Sequence, residues 1–335
     1  MIDLTRPITF QDSTGSNFNF NTLVGALTFS GGGTPLSGYS VSGFGIGSVS
    51  PIGYEDNRAT SDGIDASEAY AGRRIVTLAL DVYGNSKSDL YQKLQNVVNV
   101  MRFMPKRYEG SDGFRKLKAT MLTTDPNFSV NEDTGNREIP IYFYARPMLI
   151  PQTESNTSQF SGSDSLGYSA KLLLQFLLKY PYKYSDSPNE AEIPIDGTEI
   201  DIQNHGSAPS EMQLIISADD TNSDIVDITI TVAGVPITLD VTETMGIDGS
   251  VERSILIDYK DQVVYIREQD IDSNVVTQSL RMNMIDVNSG ALFATIEPTA
   301  DLTEPATISI SIVDEDLNPV TTGYSALMTT RECWY

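Results

Sequence analysis

The sequence predicts a mainly β protein of two domains, with one helix in the first domain. Short runs of alternating apolar and polar residues recur along the chain, and only one segment has apolar residues at helical spacing. The charge also changes abruptly near residue 190. At 335 residues the chain exceeds the usual size of a single hydrophobic core, so two domains are expected.

The net charge of −23 is divided unevenly along the chain. Residues 1–190 contain 17 Lys and Arg against 19 Asp and Glu, whereas residues 191–335 contain 5 against 26, which gives −2 and −21. We therefore predict a first domain at 1–190 and an acidic second domain at 191–322. An acidic domain repels nucleic acid, because phosphate binding requires Lys and Arg. A solvated, soluble surface is the simplest interpretation of this charge.

In the first domain, residues 1–55 predict short strands and glycine-rich loops. The alternation in RRIVTLALDVY, residues 73–83, predicts a strand. The helix follows in SKSDLYQKLQNVVNVMRFMP, with Ser86 or Ser88 as its cap and Pro105 as its stop. Its apolar residues at helical spacing are Leu90, Leu94, Val97, Val98 and Met101.

Two further strands are predicted at 137–147 and 167–181, each ending at a proline that favours extended geometry in the residue before it. Between them, the polar segment 151–167 predicts a long exposed loop or a mobile arm. From residue 190 onward, eight short alternating segments predict a β-sandwich: IDIQN, MQLIISADD, VDITITV, VPITLDV, RSILIDY, QVVYIR, LFATI and ATISISIV.

The closing segment GYSALMTTRECWY, residues 323–335, predicts one more extended piece, separated from the sandwich by LNPVTTG. It contains the only tryptophan, Trp334, and the only cysteine, Cys333. A large aromatic ring at a frayed end would remain in water without any gain from burial. We therefore predict that this end is docked.

The inventory of reactive side chains does not favour an enzyme. One histidine, His205, and one cysteine cannot supply a zinc site, and a Cys333–His205 dyad would require an exposed thiol. The acidic segments 131–136 and 314–318 lack the spacing of a calcium loop. We expect no catalytic residues, no cofactor and no bound metal. No apolar run approaches the ~20 residues of a membrane helix, and no secretion signal is visible, so a soluble protein is expected.

The order of these segments resembles the distal tail protein (Dit) family of long-tailed, siphovirus-type bacteriophages. RRIVTLALDVYGNSKSDLYQKLQNVVNVM is similar to the strand and helix of the family's N-terminal belt domain. LLLQFLLKYPYKYSD is similar to the end of that domain, although Tyr180 replaces an Asp that commonly precedes the proline. Asn204, Gly206 and Pro209 match the family's Asn-x-Gly-x-x-Pro segment before a galectin-like sandwich. RSILIDYKDQVVYI and Gly290 before LFATIEP also match, while the first half is long for a belt domain.

The resemblance implies a structural virion protein that forms a hexameric ring at the distal end of the tail. Its first domain would be a ring-forming β-sandwich with an arm near 141–180, its second a galectin-like sandwich, and its segment 323–335 would return to the first domain. The expected partners are further copies of the chain, the tail tube protein, the tip or hub protein, and receptor-binding or fibre proteins of the baseplate. DNA would pass through the ring without specific binding, and the protein would be made in the host cytoplasm.

The C-terminal segment and the Arg-initiated strand are the expected sites of contact between copies. The residues concerned are Trp334, Tyr335, Arg331, Tyr324, Arg73 and Arg74. A free-standing carbohydrate-binding or adhesin module remains the alternative function. The two hypotheses differ in oligomeric state, because the free-standing module would be a monomer.

Overall fold

A computed structural model shows a mainly β chain whose described residues contain one α-helix, as the sequence predicted. The chain folds into two compact units, residues 1–186 and 187–334. The structure describes all residues except 12–15, 25–35, 49–50, 53–54, 58–63, 67–69, 72–73, 103–112, 149–160, 164–166, 219–225, 242–244, 260, 286–292, 295, 300–304, 315 and 335, and the side chains of 51–73, 161–163 and 226 are also left undescribed.

The first unit contains the helix and strands β1 to β13. The helix is α1, Lys87–Val100. The strands are β1 Thr9–Gln11, β2 Asn17–Asn19, β3 Gly38–Ile46, β4 Pro51–Ile52, β5 Glu55–Asn57, β6 Ile64–Ala66, β7 Tyr70–Ala71, β8 Ile75–Gly84, β9 Arg115–Thr123, β10 Arg137–Pro147, β11 Ser161–Ser163, β12 Gly167–Leu178 and β13 Lys183–Ser185.

Seven strands of this unit form one antiparallel sheet in the order β2-β1-β9-β10-β12-β8-β3. β13 pairs with β10, β11 pairs with β12, and β4–β7 and β5–β6 form two small ribbons. The rings of Phe10 in β1 and Phe176 in β12 lie 5.0 Å apart although two strands separate β1 from β12 in the sheet, which shows that the sheet folds over on itself. Phe44 in β3 and Phe143 in β10 lie 6.0 Å apart, so distant strands share one core.

Helix α1 begins at a side-chain cap and packs against β8 and β12. Ser86 has an extended backbone, and its hydroxyl accepts the Asp89 N–H at 3.1 Å. Gly84 ends β8 where a Cβ would lie 2.5 Å from the Leu90 nitrogen, so only glycine allows this close approach. The predicted cap is confirmed, and Pro105 lies outside the described residues. The buried helix residues are Leu90, Leu94, Val97 and Val100.

The second unit contains strands β14 to β24 and a 3-10 turn at Met282–Met284. The strands are β14 Asn189–Glu192, β15 Ile200–Ile202, β16 Ala208–Ala218, β17 Val226–Val232, β18 Val235–Val241, β19 Gly246–Asp248, β20 Val251–Asp258, β21 Val263–Asp270, β22 Val276–Leu280, β23 Ala306–Asp314 and β24 Tyr324–Trp334.

These strands form a two-layer sandwich. The larger sheet has the order β14-β24-β16-β20-β21-β22, with β19 beside β20, and the smaller has the order β15-β23-β17-β18. The inward residues of both sheets are aliphatic and fully buried, as at Leu214 and Ile216 in β16 and at Ile308 and Ile310 in β23. One hydrophobic core therefore fills the space between the sheets.

Two sequence predictions in this unit need correction. LFATI, residues 292–296, was expected to be a strand, but the described part contains only an isolated bridge between Ile296 and Ser210. The Ile296 carbonyl accepts the Ser210 N–H and an Asn204 side-chain N–H, so it is used in a local anchor instead of a ladder. The closing segment was expected to stand apart from the sandwich, yet it is β24, within the larger sheet.

The turn between β17 and β18 offers a test of this fold. Ala233 and Gly234 both have positive φ angles, 48° and 77°, which alanine adopts at a cost that asparagine largely avoids. Ala233→Asn is expected to raise the unfolding free energy by about 0.5–1 kcal/mol in urea denaturation followed by Trp334 fluorescence. Ala233→Val should lower it, and equal stability of the two variants would contradict the turn geometry.

Candidate functional site: the C-terminal strand and its anchor

The C-terminal strand β24 lies inside the larger sheet of the second unit. It pairs with β16 on one side and with β14 on the other. Alternate residues Tyr324, Ala326 and Met328 enter the sandwich core. Cys333 is fully buried and Trp334 is only 9% exposed. The predicted docking of this end is therefore observed, although its return to the first domain stays a prediction.

A buried asparagine organises the sheet at the end of β24. Asn204 Nδ2 donates to the carbonyl oxygens of Ala208 and Ile296, both at 3.0 Å. Its Oδ1 accepts the Gly206 N–H at 2.9 Å, and its backbone N–H donates to Thr299 Oγ1 at 2.8 Å. Both polar atoms of this buried side chain are thus hydrogen-bonded, as an amide in a core requires.

The segment after Asn204 holds β24 directly. The Ser207 N–H donates to the Cys333 carbonyl at 3.0 Å, and Ser210 Oγ donates to the Arg331 carbonyl at 2.7 Å. Between these two bonds β16 has a bulge, since Ala208 opposes Cys333 while Glu211 opposes Arg331. We call this set of contacts, from Asn204 to Ser210 with Arg331 and Cys333, the C-terminal anchor.

Gly206 fits the anchor because it has no side chain. A Cβ at this position would lie 2.2 Å from the Cys333 carbonyl oxygen and 2.9 Å from the Cys333 nitrogen. The Asn-x-Gly-x-x-Pro motif identified in the sequence therefore packs against the end of the C-terminal strand and is hydrogen-bonded to it. This contact was not predicted, because the two segments are more than a hundred residues apart.

The residues predicted to contact other copies are found in different parts of the chain. Trp334, Arg331 and Tyr324 belong to β24, while Arg73 and Tyr335 lie outside the described residues. Arg74, in the first unit, donates to the carbonyl oxygens of Gly47 at 2.5 Å and Pro181 at 3.0 Å. Burial lowers the pKa of its guanidinium. Their role between subunits stays a prediction.

Five tyrosines form a cluster near the end of the first unit that was not predicted. They are Tyr142, Tyr144, Tyr180, Tyr182 and Tyr184. Buried Tyr184 stacks on Tyr142 with 5.4 Å between ring centroids, and its other three ring contacts in the cluster are edge-on, at 5.7 to 6.4 Å. Lys116 Nζ lies 4.5 Å from the Tyr142 centroid. The alternation of tyrosines in β10 and before β13 was the available sequence signal.

A lysine beside this cluster yields a stability prediction. Burial and then the charge of Arg74 lower the pKa of Lys183 below its usual value. At a pH below the pKa of Lys183 in the folded protein, its charged amine lowers the free energy of unfolding. This loss disappears as the pH rises to the pKa of the lysine in the unfolded chain, about 10.5. We expect Lys183→Met to raise the urea midpoint at pH 7 and to have less effect near pH 10. Lys171→Met, at an exposed lysine, is the control.

The described residues show no catalytic or metal-binding arrangement. Cys333 is buried, and its thiol lies 3.5 Å from the Arg331 carbonyl, so it is not exposed as a nucleophile would be. His205 uses its backbone N–H to contact Glu332 Oε1 at 3.4 Å. Among the described residues, no three His, Cys, Asp or Glu side chains are grouped to hold a metal ion. In the same part of the chain, no helix has the length and apolarity to span a bilayer.

Comparison with known proteins shows which solved structures have a similar fold. No protein-family model matches the sequence, and no curated protein matches it. The SPP1 Dit protein, described as a paradigm of the hub adsorption apparatus in phages that infect Gram-positive bacteria, aligns with a TM-score of 0.51 and 11% identity over 88% of this chain and 93% of its own. Chains of the activated phage p2 baseplate, with Sr and with Ca, align over 97% of both chains at TM-scores of 0.46 and 0.43 and identities of 9% and 10%. The chain thus has the Dit-like fold that its sequence motifs predicted.

Proposed function

We propose that this protein forms a six-membered ring at the distal end of a phage tail, where it joins the tail tube to the tip. Receptor-binding or fibre proteins would be mounted on the ring. The observation that carries the proposal is the fold shared with SPP1 Dit over 88% of the chain. The domains proposed are a ring-forming belt at 1–190 with an arm near 141–180, and an outer galectin-like sandwich at 191–322.

The charge distribution supports these roles. A ring around a DNA channel needs a first domain without a strong positive field, and residues 1–190 carry −2. An outer sandwich with a net charge of −21 is kept soluble by this charge and repels DNA. No catalytic step is required, and the buried Cys333 agrees with a structural role. The proposed location is the virion, after synthesis in the host cytoplasm.

Ring closure requires two different patches, one on each side of the subunit, so that no patch stays open. β12, in the predicted arm region 141–180, presents Leu173, which is 61% exposed. A leucine in this position is an apolar contact that a neighbouring copy can cover. We place one of the two patches on this face of β12.

The mass of the purified protein tests the proposal. Light scattering after size exclusion should give six times the chain mass of 36.6 kDa. A stable monomer at high concentration would contradict the ring and favour the free-standing carbohydrate-binding or adhesin module. A complex of another mass would contradict the number six.

A substitution on β12 tests the patch itself. Leu173→Glu is expected to shift the light-scattering mass from the ring towards the monomer, because an exposed leucine becomes a charge inside the contact. Its melting temperature should change little, since the residue is exposed in the single chain. Val130→Glu, at another exposed apolar residue of the first unit, is the matched control. A ring unaffected by Leu173→Glu would place the contact elsewhere.

A further inference from the structure

An apolar row crosses the outer face of the larger sheet in the second unit. The strand registers align five residues side by side: Leu327 in β24, Ile215 in β16, Leu256 in β20, Tyr265 in β21 and Leu280 in β22. Leu327, Ile215, Leu256 and Tyr265 alternate along their strands with residues that enter the core, so they point away from it. Leu280 lies on the same face because it is directly opposite Tyr265. We call this set the apolar row.

The smaller sheet shows that the sandwich does not need such a row. At its outward positions β17 has Thr229 and Thr231, which oppose Ser311 and Ser309 of β23. Thr229 also opposes Thr238 of β18, with 3.2 Å between their hydroxyl oxygens. Hydroxyl side chains therefore suffice on a solvated outer face. The aliphatic residues on the larger sheet indicate a face that is covered in use.

The row is long, and its two ends are exposed. Leu327 is 38% exposed and Leu280 is 56% exposed. Four strand spacings separate them, which is about 19 Å at about 4.8 Å per spacing. Leu256, in the middle of the row, is only 7% exposed, so the accessible apolar area lies towards the two ends. Apolar contacts spread over this length fit a protein partner better than a sugar, whose hydroxyls gain little from aliphatic side chains.

The row ends at an open sheet edge. Among the described residues, β22 pairs with β21 alone. Its sequence VTQSL contains neither lysine nor proline, the residues that commonly block edge pairing. Val276, also in β22, is exposed as well. Within the described part of the chain this edge is unpaired, and a strand or loop of the same partner can pair with it.

The opposite end of the row lies in a groove with a volume of about 760 Å³. Ile215 and Leu327 line it, with Glu192 and Asp196 on the side of β14 and Arg267 on the side of β21. Arg267 donates to Gln269 Oε1 at 2.7 Å, and no carboxylate within the described chain lies at ion-pair distance from it. The groove thus offers an apolar floor between acidic residues and one arginine.

Charge selects the partner. Residues 191–335 carry 26 acidic against 5 basic side chains, so a second sandwich of this kind would be repelled. We infer that the apolar row and the β22 edge dock a different protein of the virion. That protein carries an apolar ridge flanked by Lys or Arg, and one of its carboxylates pairs with Arg267. This inference rests on the proposed function, because it takes the partner from the tail.

Photo-crosslinking tests the inference in assembled particles. A benzophenone amino acid is placed at Leu280, or at Thr231 on the opposite face as the matched control, and virions carrying each variant are irradiated. We expect position 280 to form adducts with a protein other than this chain, at a peptide containing basic and aliphatic residues, and position 231 to form none. Adducts only with another copy of this chain, equal adducts from position 231, or no adduct would overturn the inference.

The proposed function and the inference fail in distinguishable ways. Absence of the protein from purified virions would overturn the proposed function, and the inference would fall with it. Presence in virions without an adduct from position 280 would overturn the inference alone. The variant Leu280→Glu provides a second measurement, made without a crosslinker. It should leave the melting temperature and the ring mass unchanged. The virion content of the partner identified by crosslinking should fall by about tenfold or more. An unchanged partner content would also contradict the docking surface.

Discussion

Removal of residues 324–335 is expected to unfold the second unit. β24 lies between β14 and β16, so the truncation deletes two ladders of backbone hydrogen bonds. It also removes the buried side chains of Tyr324, Met328 and Trp334. Each large apolar side chain contributes about 1.5–3 kcal/mol. A typical domain has a net stability of only about 5–15 kcal/mol, so the loss is expected to exceed what the sandwich can tolerate.

Calorimetry and circular dichroism measure this result. We expect the truncated chain to lose the unfolding transition of the second unit and a large part of its β signal. Met328→Ala, at a buried position, should reduce stability by about 2–5 kcal/mol. Ser325→Ala, at an exposed position of the same strand, should be almost neutral. An intact transition after truncation would contradict the position of β24 in the sheet.

Variants that test ring formation must keep the second unit folded. A truncated chain that fails to assemble would not identify a subunit contact, since its sandwich would already be unfolded. Substitutions on exposed positions, such as Leu173→Glu, separate assembly from folding. Trp334 is poorly suited for this purpose because it is buried within the single chain.

Gly206→Ala is expected to produce the largest effect of any single methyl group in the second unit. The added carbon would lie 2.2 Å from the Cys333 carbonyl oxygen, whereas real Cβ contacts start at about 3 Å. Either β24 moves away or the Asn204 turn opens, and both break hydrogen bonds of the C-terminal anchor. We expect the unfolding free energy to fall by about 3 kcal/mol or more.

Urea denaturation followed by Trp334 fluorescence suits this variant, because the chain's only tryptophan lies beside the anchor. A red shift of its emission before global unfolding would indicate that the end of β24 has separated. Gly45→Ala is the matched control, since its Cβ would lie 3.9 Å from Thr77, an ordinary contact. Equal stability of the two variants would show that the anchor does not hold the strand.

Local patterns allowed much of the fold to be predicted. The capped helix before Pro105, the strand at Ile75–Gly84 and most of the sandwich strands follow from periodicity of side chains and from turn residues. LFATI was predicted incorrectly because apolar alternation cannot show that the Ile296 carbonyl bonds to Asn204. Short polar strands such as β14 and β22 carry no alternation signal, since their stability comes from a neighbouring strand.

By itself, the sequence determined the mainly β class, the helix after residue 86, the charge step near residue 190 and the burial of the C-terminal end. These depend on residue composition and on spacing within about twenty positions. The tertiary structure alone decided that Gly206 faces Cys333 and that Leu327, Ile215, Leu256, Tyr265 and Leu280 form one row. Strand order and register set these contacts, and both arise from burial across the whole sandwich, which no local window of sequence contains.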